Sequence, residues 1–325
     1  MDKPKNNLIW VDNIKLFACI FVAVGHFFQS MISSNLIVES RLYAWFIQTI
    51  YFFHVQLFFI CSGYLYQRRS TVFSIYDWKR NILKKFVSLG LPYFVFSGIT
   101  WLLKNVFSGS VNSEVDGFLY CLFVHPLSPY WYLFALFFMF VITPTFRRGN
   151  VLVVWILFSF VLKFMIKTEF YAINIVIDNL VWFLMGMSIC KIDWSSMVAK
   201  WSKLCATVCL VAFLFISITL FDSLRSEIAV FAMGVLACSG VLILAIQMKL
   251  DVGGFSQYTM PIYLMHTIFA AGIRSVLLKL GVTAALIHVP VGIVATFVGP
   301  IIAYEIMKRT KLDFFIEPRK YVRIG

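Results

Sequence analysis

Residues 11–30 read VDNIKLFACIFVAVGHFFQS. The stretch is long and apolar enough for a membrane-crossing helix, because a hydrocarbon core about 30 Å thick takes roughly 20 helical residues. It nevertheless carries Lys15 at its start and His26 deep inside. Their spacing is close to three helical turns plus about 20°, so both side chains share one face, about 16 Å apart along the axis. Asp12 lies one turn before Lys15 on nearly the same stripe. The solvent around this helix decides what that stripe means.

Composition supplies the solvent. Of 325 residues, 61% are hydrophobic and only 13% charged, and the mean hydropathy is +0.87. A soluble domain of this length needs far more charge to cover its surface. The chain therefore reads as an all-α polytopic integral membrane protein. About ten transmembrane helices are expected, over 13–33, 44–66, 86–107, 130–146, 149–166, 172–190, 203–221, 228–248, 257–278 and 283–306. These runs are too continuously apolar for the in–out alternation of a barrel strand. Residues 1–325 form one expected transmembrane domain, without an internal repeat or low-complexity tract.

Basic residues set the expected orientation. With a cytoplasmic amino terminus, the inner segments collect Lys3, Lys5, Arg68, Arg69, Lys79, Arg80, Lys84, Lys85, Arg147, Arg148, Lys191, Lys200, Lys203 and Lys249. The final tail adds Lys308, Arg309, Lys311, Arg319, Lys320 and Arg323. The outer segments hold little beyond Arg41, Lys167, Arg225 and Lys279. This bias predicts both termini in the cytoplasm. The net charge of +13 is thus mostly a topology signal; the lipid bilayer is the expected partner and no nucleic acid is implied. No cleavable signal peptide is expected. The seven cysteines sit mostly within apolar runs and form no CxxC, so they read as packing residues, and no metal site is expected.

Ionisable groups inside a span are costly and ask for a reason. His26 and His54, on sequential antiparallel spans, fall at similar depth, while His266 lies nearer the cytoplasmic side of the ninth span. Gln29, Gln48, Gln56, Asp178 and Asn179 add polar atoms toward the outer half, enough to line a cavity. Each histidine has a plain alternative as a satisfied interhelical hydrogen-bond partner. Lys15 has one as a snorkelling pair with Asp12. A neutral imidazole suits general-base work on a hydroxyl. Lys15, three turns away, cannot touch the same atom, but it is placed to hold the anionic part of an elongated ligand whose reactive end reaches His26. The basic segment QRRSTVFSIYDWKRNILKK, residues 67–85, reads as a positive-inside determinant, as a phosphate-binding rim using Arg69, Lys79 or Arg80, or as both.

Several landmarks then fall in a familiar order. They are D-x-x-K-x10-H (Asp12, Lys15, His26), FHVQLFFICSGYL (including His54, Ser62, Gly63 and Tyr64) and a basic stretch leading to Pro92-Tyr93 with Arg80. PYWYLFALFFMFVITP (Trp131, Tyr132, Pro144), WFLMG (Trp182 to Gly186) and a terminal block from Ser256 to the IYLMH ending at His266 follow. In this order the sequence resembles the membrane-bound acyltransferase-3 family along most of the chain. The resemblance implies a multi-pass O-acyltransferase of the bacterial plasma (inner) membrane. Such an enzyme moves acetyl from cytoplasmic acetyl-CoA, as a donor substrate, to a hydroxyl of a cell-surface or lipid-linked carbohydrate. No tightly bound cofactor is implied. The family's catalytic histidine carries over to His26. Its basic partner carries over to Lys15, where many members have arginine; lysine keeps the charge and loses the bidentate fork.

The expected site is therefore His26 as catalytic base, with Lys15, Arg69, Lys79 and Arg80 toward the donor, and Asp12, His54, Ser62, Tyr64, Trp131 and His266 lining it. A transient acyl-histidine stays open beside direct transfer. Ser62 and Gly63 have a second reading as close helix packing, and Trp131 as part of an interfacial belt. Some family members append an extracytoplasmic domain; here the chain is expected to finish transfer itself or to pass the acyl group to a separate extracytoplasmic partner, and a homo-oligomer stays open as a partner. The competing reading is a secondary transporter or flippase without covalent chemistry.

Overall fold

The structure is a computed structural model that describes residues 8–107, 116–191, 202–247, 251–322 and 324. Lys3, Lys5, Lys200, Lys249 and Arg323, which entered the orientation argument, lie outside the described residues. All regular structure among the described residues is helical. Among the described residues, seven helices are long and apolar enough to cross a membrane, at Ile9–Ser33, Arg41–Arg69, Ile75–Val106, Tyr171–Ile189, Glu227–Gln247, Thr259–Lys279 and Ala285–Thr310. The other three expected spans fall on shorter apolar helices, Trp131–Ile142, Gly149–Met165 and Lys203–Thr219. Even 17 helical residues extend only about 25 Å, short of a core of about 30 Å. Pro144 limits the first of these three, since residues before proline leave the helical region; Thr143 is extended, with ψ 117°.

Chain order gives fourteen described α-helices. We number them α1 (Ile9–Ser33), α2 (Arg41–Tyr51), α3 (His54–Arg69), α4 (Ile75–Lys85), α5 (Leu91–Val106), α6 (Phe118–Phe123), α7 (Trp131–Ile142), α8 (Gly149–Met165), α9 (Tyr171–Ile189), α10 (Ser202–Thr219), α11 (Glu227–Gln247), α12 (Gly253–Ser256), α13 (Thr259–Lys279) and α14 (Ala285–Thr310). Helix α1 is the hub, packing on α3, α11, α13 and α14. Its buried stripe of Val11, Ile14, Ala18, Val22 and Ala23 is small enough to let neighbours approach.

The tightest approach is between α3 and α9. A Cβ on Gly63 would stand 1.9 Å from the Phe183 carbonyl oxygen, and one on Gly186 would stand 2.0 Å from that of Ile60. Two landmark blocks, SGYL and WFLMG, therefore meet backbone to backbone. In lipid, association rests on van der Waals packing that small residues permit. Gly63 serves the packing role the sequence left open.

Three local features aim the remaining side chains. Residues Phe52 and Phe53 interrupt the α2–α3 rod, and His54 Nδ1 lies 2.5 Å from the Ile50 carbonyl exposed by that break. At the start of α4, Ser74 Oγ accepts from the Asp77 N–H and Asp77 Oδ2 accepts from the Ser74 N–H, both at 3.1 Å. This capping box fixes the register of the basic helix. A five-residue π-helical segment, Phe86–Gly90, then joins α4 to α5 just before Pro92. Proline cannot donate to the carbonyl four residues back and crowds it, and the wider turn absorbs that conflict.

Candidate functional site

Two cavities approach α1 from opposite ends. The first, about 700 Å³, opens on the face where Asp12 of α1 and Arg319 of the carboxyl-terminal segment come together. Its cations are Lys15, Arg69, Arg80, Lys84, Lys85 and Arg319, against Asp12, Asp77 and Glu317. Two of those carboxylates are already engaged, Asp77 in the capping box and Glu317 with Lys320 and Tyr304. The cavity therefore presents a surplus of positive charge to whatever enters.

Arg319 reaches this rim through a hook in the chain that the sequence did not reveal. Lys311, with φ 60°, turns the backbone sharply after α14. Two short 3-10 turns, Leu312–Phe315 and Pro318–Lys320, fold back under the helices. Tyr321 donates to Asp313 Oδ1 at 2.5 Å and Lys320 Nζ donates to the Tyr304 hydroxyl at 3.0 Å, which pins the hook. In the sequence these basic residues read only as part of a topology signal.

The inner end of the first cavity is aromatic. Phe58, Tyr132 and Tyr263 line it, and their rings touch one another at centroid distances of 5.5–6.1 Å. Ser62 Oγ lies 3.0 Å from the Tyr132 hydroxyl, and Tyr263 donates to the Pro129 carbonyl. Beyond Tyr263 the contacts continue to His266, 6.4 Å away, and from His266 to His26 at 5.4 Å. His26 faces the second cavity, about 500 Å³, which opens on the opposite end of the bundle. Lys15 and His26 thus line different cavities, with the ring contacts from Tyr263 through His266 lying between them.

His266 is fully buried. Its Nδ1 lies 3.0 Å from the Ile262 carbonyl and 2.9 Å from that of Tyr263. Both oxygens can only accept, so Nδ1 carries the proton and Nε2 keeps its lone pair. That Nε2 has no hydrogen-bond partner among the described residues. Buried polar atoms are nearly always paired, so this open acceptor, on a ring 5.4 Å from that of His26, marks a place where a donor is expected. His26 Nε2 lies 3.5 Å from Ser128 Oγ, the long limit of a hydrogen bond. Catalytic hydrogen bonds are often this loose before substrate binds.

The other expected residues divide. Asp12, Lys15, Ser62, Arg69 and Arg80 share the first cavity. Lys79 is exposed and lines neither cavity; it is adjacent to Arg80 on α4 and so points about 100° away. His54 lines neither cavity and serves the α2–α3 break. Tyr64 accepts from Arg68 and packs edge-on against Trp10 at 4.7 Å, away from both cavities. Trp131 rests against Phe59 at 6.3 Å, while its neighbour Tyr132 turns into the first cavity. Sequence reasoning missed Lys84, Lys85, Tyr263, Ser128 and Arg319. The signals available were for Lys84 and Lys85, which end the basic segment 67–85, and for Tyr263, three residues before His266 in the IYLMH block.

A family model described as an acyltransferase domain matches residues 8–305. The chain belongs to the acyltransferase-3 family. No curated protein and no solved structure matches it. The match covers α1 through nearly all of α14 and ends before the hook that carries Arg319. With seven long apolar helices, this family member is a multi-pass membrane protein.

Proposed function

We propose that this acyltransferase moves an acetyl group from acetyl-CoA to a carbohydrate hydroxyl in the plasma membrane of a bacterium. The face bearing Asp12 and Arg319 is the cytoplasmic one in this reading, as the basic bias predicts. The phosphates of the donor sit among Arg69, Arg80, Lys84 and Arg319, with Lys15 deeper along the donor's arm. The thioester passes the Phe58, Tyr132 and Tyr263 layer to reach His26. The acceptor enters the second cavity from the outer side.

The chemistry follows from the two imidazoles. His26 takes the proton of the acceptor hydroxyl as its oxygen attacks the thioester carbonyl. The new ester C–O bond forms, the C–S bond breaks, and the departing CoA sulfur takes the proton back from the His26 imidazolium. His266, with its lone pair on Nε2, accepts a hydrogen bond from His26 or from the incoming hydroxyl and holds it in line. A transient acetyl-imidazole at His26 is the two-step version of the same route.

The observation that carries this reading is the placement of His26, which lines the second cavity of a family acyltransferase, with its ring 5.4 Å from that of the buried His266, whose Nε2 has no partner among the described residues. The test is release of free thiol from acetyl-CoA by the purified chain with a glycan acceptor pool. Loss of release in His26→Ala, with the variant still folded, supports the mechanism; full activity in that variant ends it. The same opposed cavities also suit a transporter. Substrate movement across a vesicle membrane without thiol release would favour that second reading.

A further inference from the structure

The second cavity carries three cations, Lys104 from α5 and Arg274 and Lys279 from α13, and no carboxylate among its described lining residues. We propose that it takes an acceptor bearing an anionic group, a carboxylate or phosphate, about one sugar ring from the hydroxyl that is acylated. The position of that hydroxyl rests on the acyl-transfer reading above; the anion site rests on the cavity itself.

Arg274 is the most buried of the three cations. It is only 6% exposed, and its Nη1 donates to the Ser30 carbonyl at 3.2 Å and to the Ser30 hydroxyl. Both acceptors are neutral, and the guanidinium forms no ion pair among the described residues. A buried cation without a counter-charge is unfavourable unless something compensates it. A guanidinium offers five N–H donors in a planar fork that matches carboxylate and phosphate oxygens. Insertion bias does not explain the cluster, because the basic residues that set topology gather at the other face. Snorkelling accounts for a lone lysine at a helix end, yet here two helices direct cations into one cavity.

Spacing defines the ligand. Ser30 lies one helical turn beyond His26 on α1, about 6 Å along the axis, and it anchors Arg274 at that level. A pyranose ring with its reactive hydroxyl at His26 would place a carboxylate or phosphate from its far edge beside Arg274. Lys279 is exposed at the mouth and adds attraction for the same charge. A sugar acid, a sugar phosphate and a sugar carried on a lipid phosphate all present this chemistry.

The test uses the full chain in nanodiscs of zwitterionic lipid, with methyl glucuronide, glucose 1-phosphate and neutral methyl glucoside as probes. Ligand-induced thermal stabilisation gives binding, and thiol release from acetyl-CoA gives turnover. The two anionic probes should bind at least about tenfold more tightly than the neutral one, as one charge-assisted pair would give. That advantage should shrink with added salt, vanish in Arg274→Gln and fall in Lys279→Gln, where the exposed position spares the fold. A carboxylate preference over phosphate, or the reverse, assigns the source of the anion. Equal binding of all three probes, or an advantage kept in both variants, overturns the proposal. So does stabilisation by anionic-lipid nanodiscs with no probe preference, which would assign the cations to headgroups. Anion-selective binding without thiol release from any probe sustains the anion site and defeats the transfer reading. Thiol release with the neutral sugar alone does the opposite.

Discussion

The imidazoles of His26 on α1 and His266 on α13 face each other at 5.4 Å, and the tautomer of His266 is set by two backbone carbonyls on its own helix. A fixed lone pair beside a candidate base is an arrangement that neither residue's local sequence announces. His266→Phe keeps an aromatic ring and removes the acceptor. It should lower kcat by about 10²-fold, and His26→Ala by 10²-fold or more, in line with general-base contributions of about 10²–10⁴. Both variants should leave KM for acetyl-CoA nearly unchanged, which a thiol-release assay across donor concentrations checks.

Donor binding should show the reverse signature. Arg319→Ala removes a cation at the rim and Lys15→Ala one deeper in the same cavity. Each should raise KM for acetyl-CoA by about tenfold or more, since a hydrogen bond to a charged group contributes about 1.5–3 kcal/mol, with a smaller effect on kcat. Lys79→Ala, exposed and outside the cavity, should leave KM unchanged. Equal effects of Lys79→Ala and Arg319→Ala would remove the assignment of this rim to the donor.

The α3–α9 contact predicts a stability defect without any chemical role. Gly63→Ala and Gly186→Ala each place a methyl within 2.0 Å of a facing carbonyl oxygen. Overpacking of this kind costs about 1–3 kcal/mol or more. Thermal unfolding followed by size-exclusion chromatography in detergent should show both melting well below wild type, with Gly272→Ala, where a Cβ meets nothing within 4 Å, close to wild type.

Topology offers a direct check of the cavity assignment. Asp12 and Arg319 line one cavity, so reporters fused to the two ends of the chain should be found on the same side of the membrane. The basic bias places that side in the cytoplasm. Reporters on opposite sides would contradict the fold, and both outside would invert the roles of the two cavities.

The sequence by itself determined that the chain is a helical membrane protein, because a run of some 20 apolar residues has few other stable forms in lipid. It also placed Lys15 and His26 on one face of α1, because helical periodicity is local. It marked Gly63 and Gly186 in separate blocks. It did not separate Arg80, which lines a cavity, from Lys79, which does not, since both satisfy the same topology rule. Nor did it distinguish His54 from His266: both are buried histidines in apolar text, each with Nδ1 against a carbonyl four residues back. Only the packing of α13 against α1 puts His266 beside His26 and Arg274 beside Ser30. Only the backward turn at Lys311 brings Arg319 to the first cavity. Periodicity fixes which residues share a helix face; which faces meet depends on long-range packing, and that is a property of the assembled bundle.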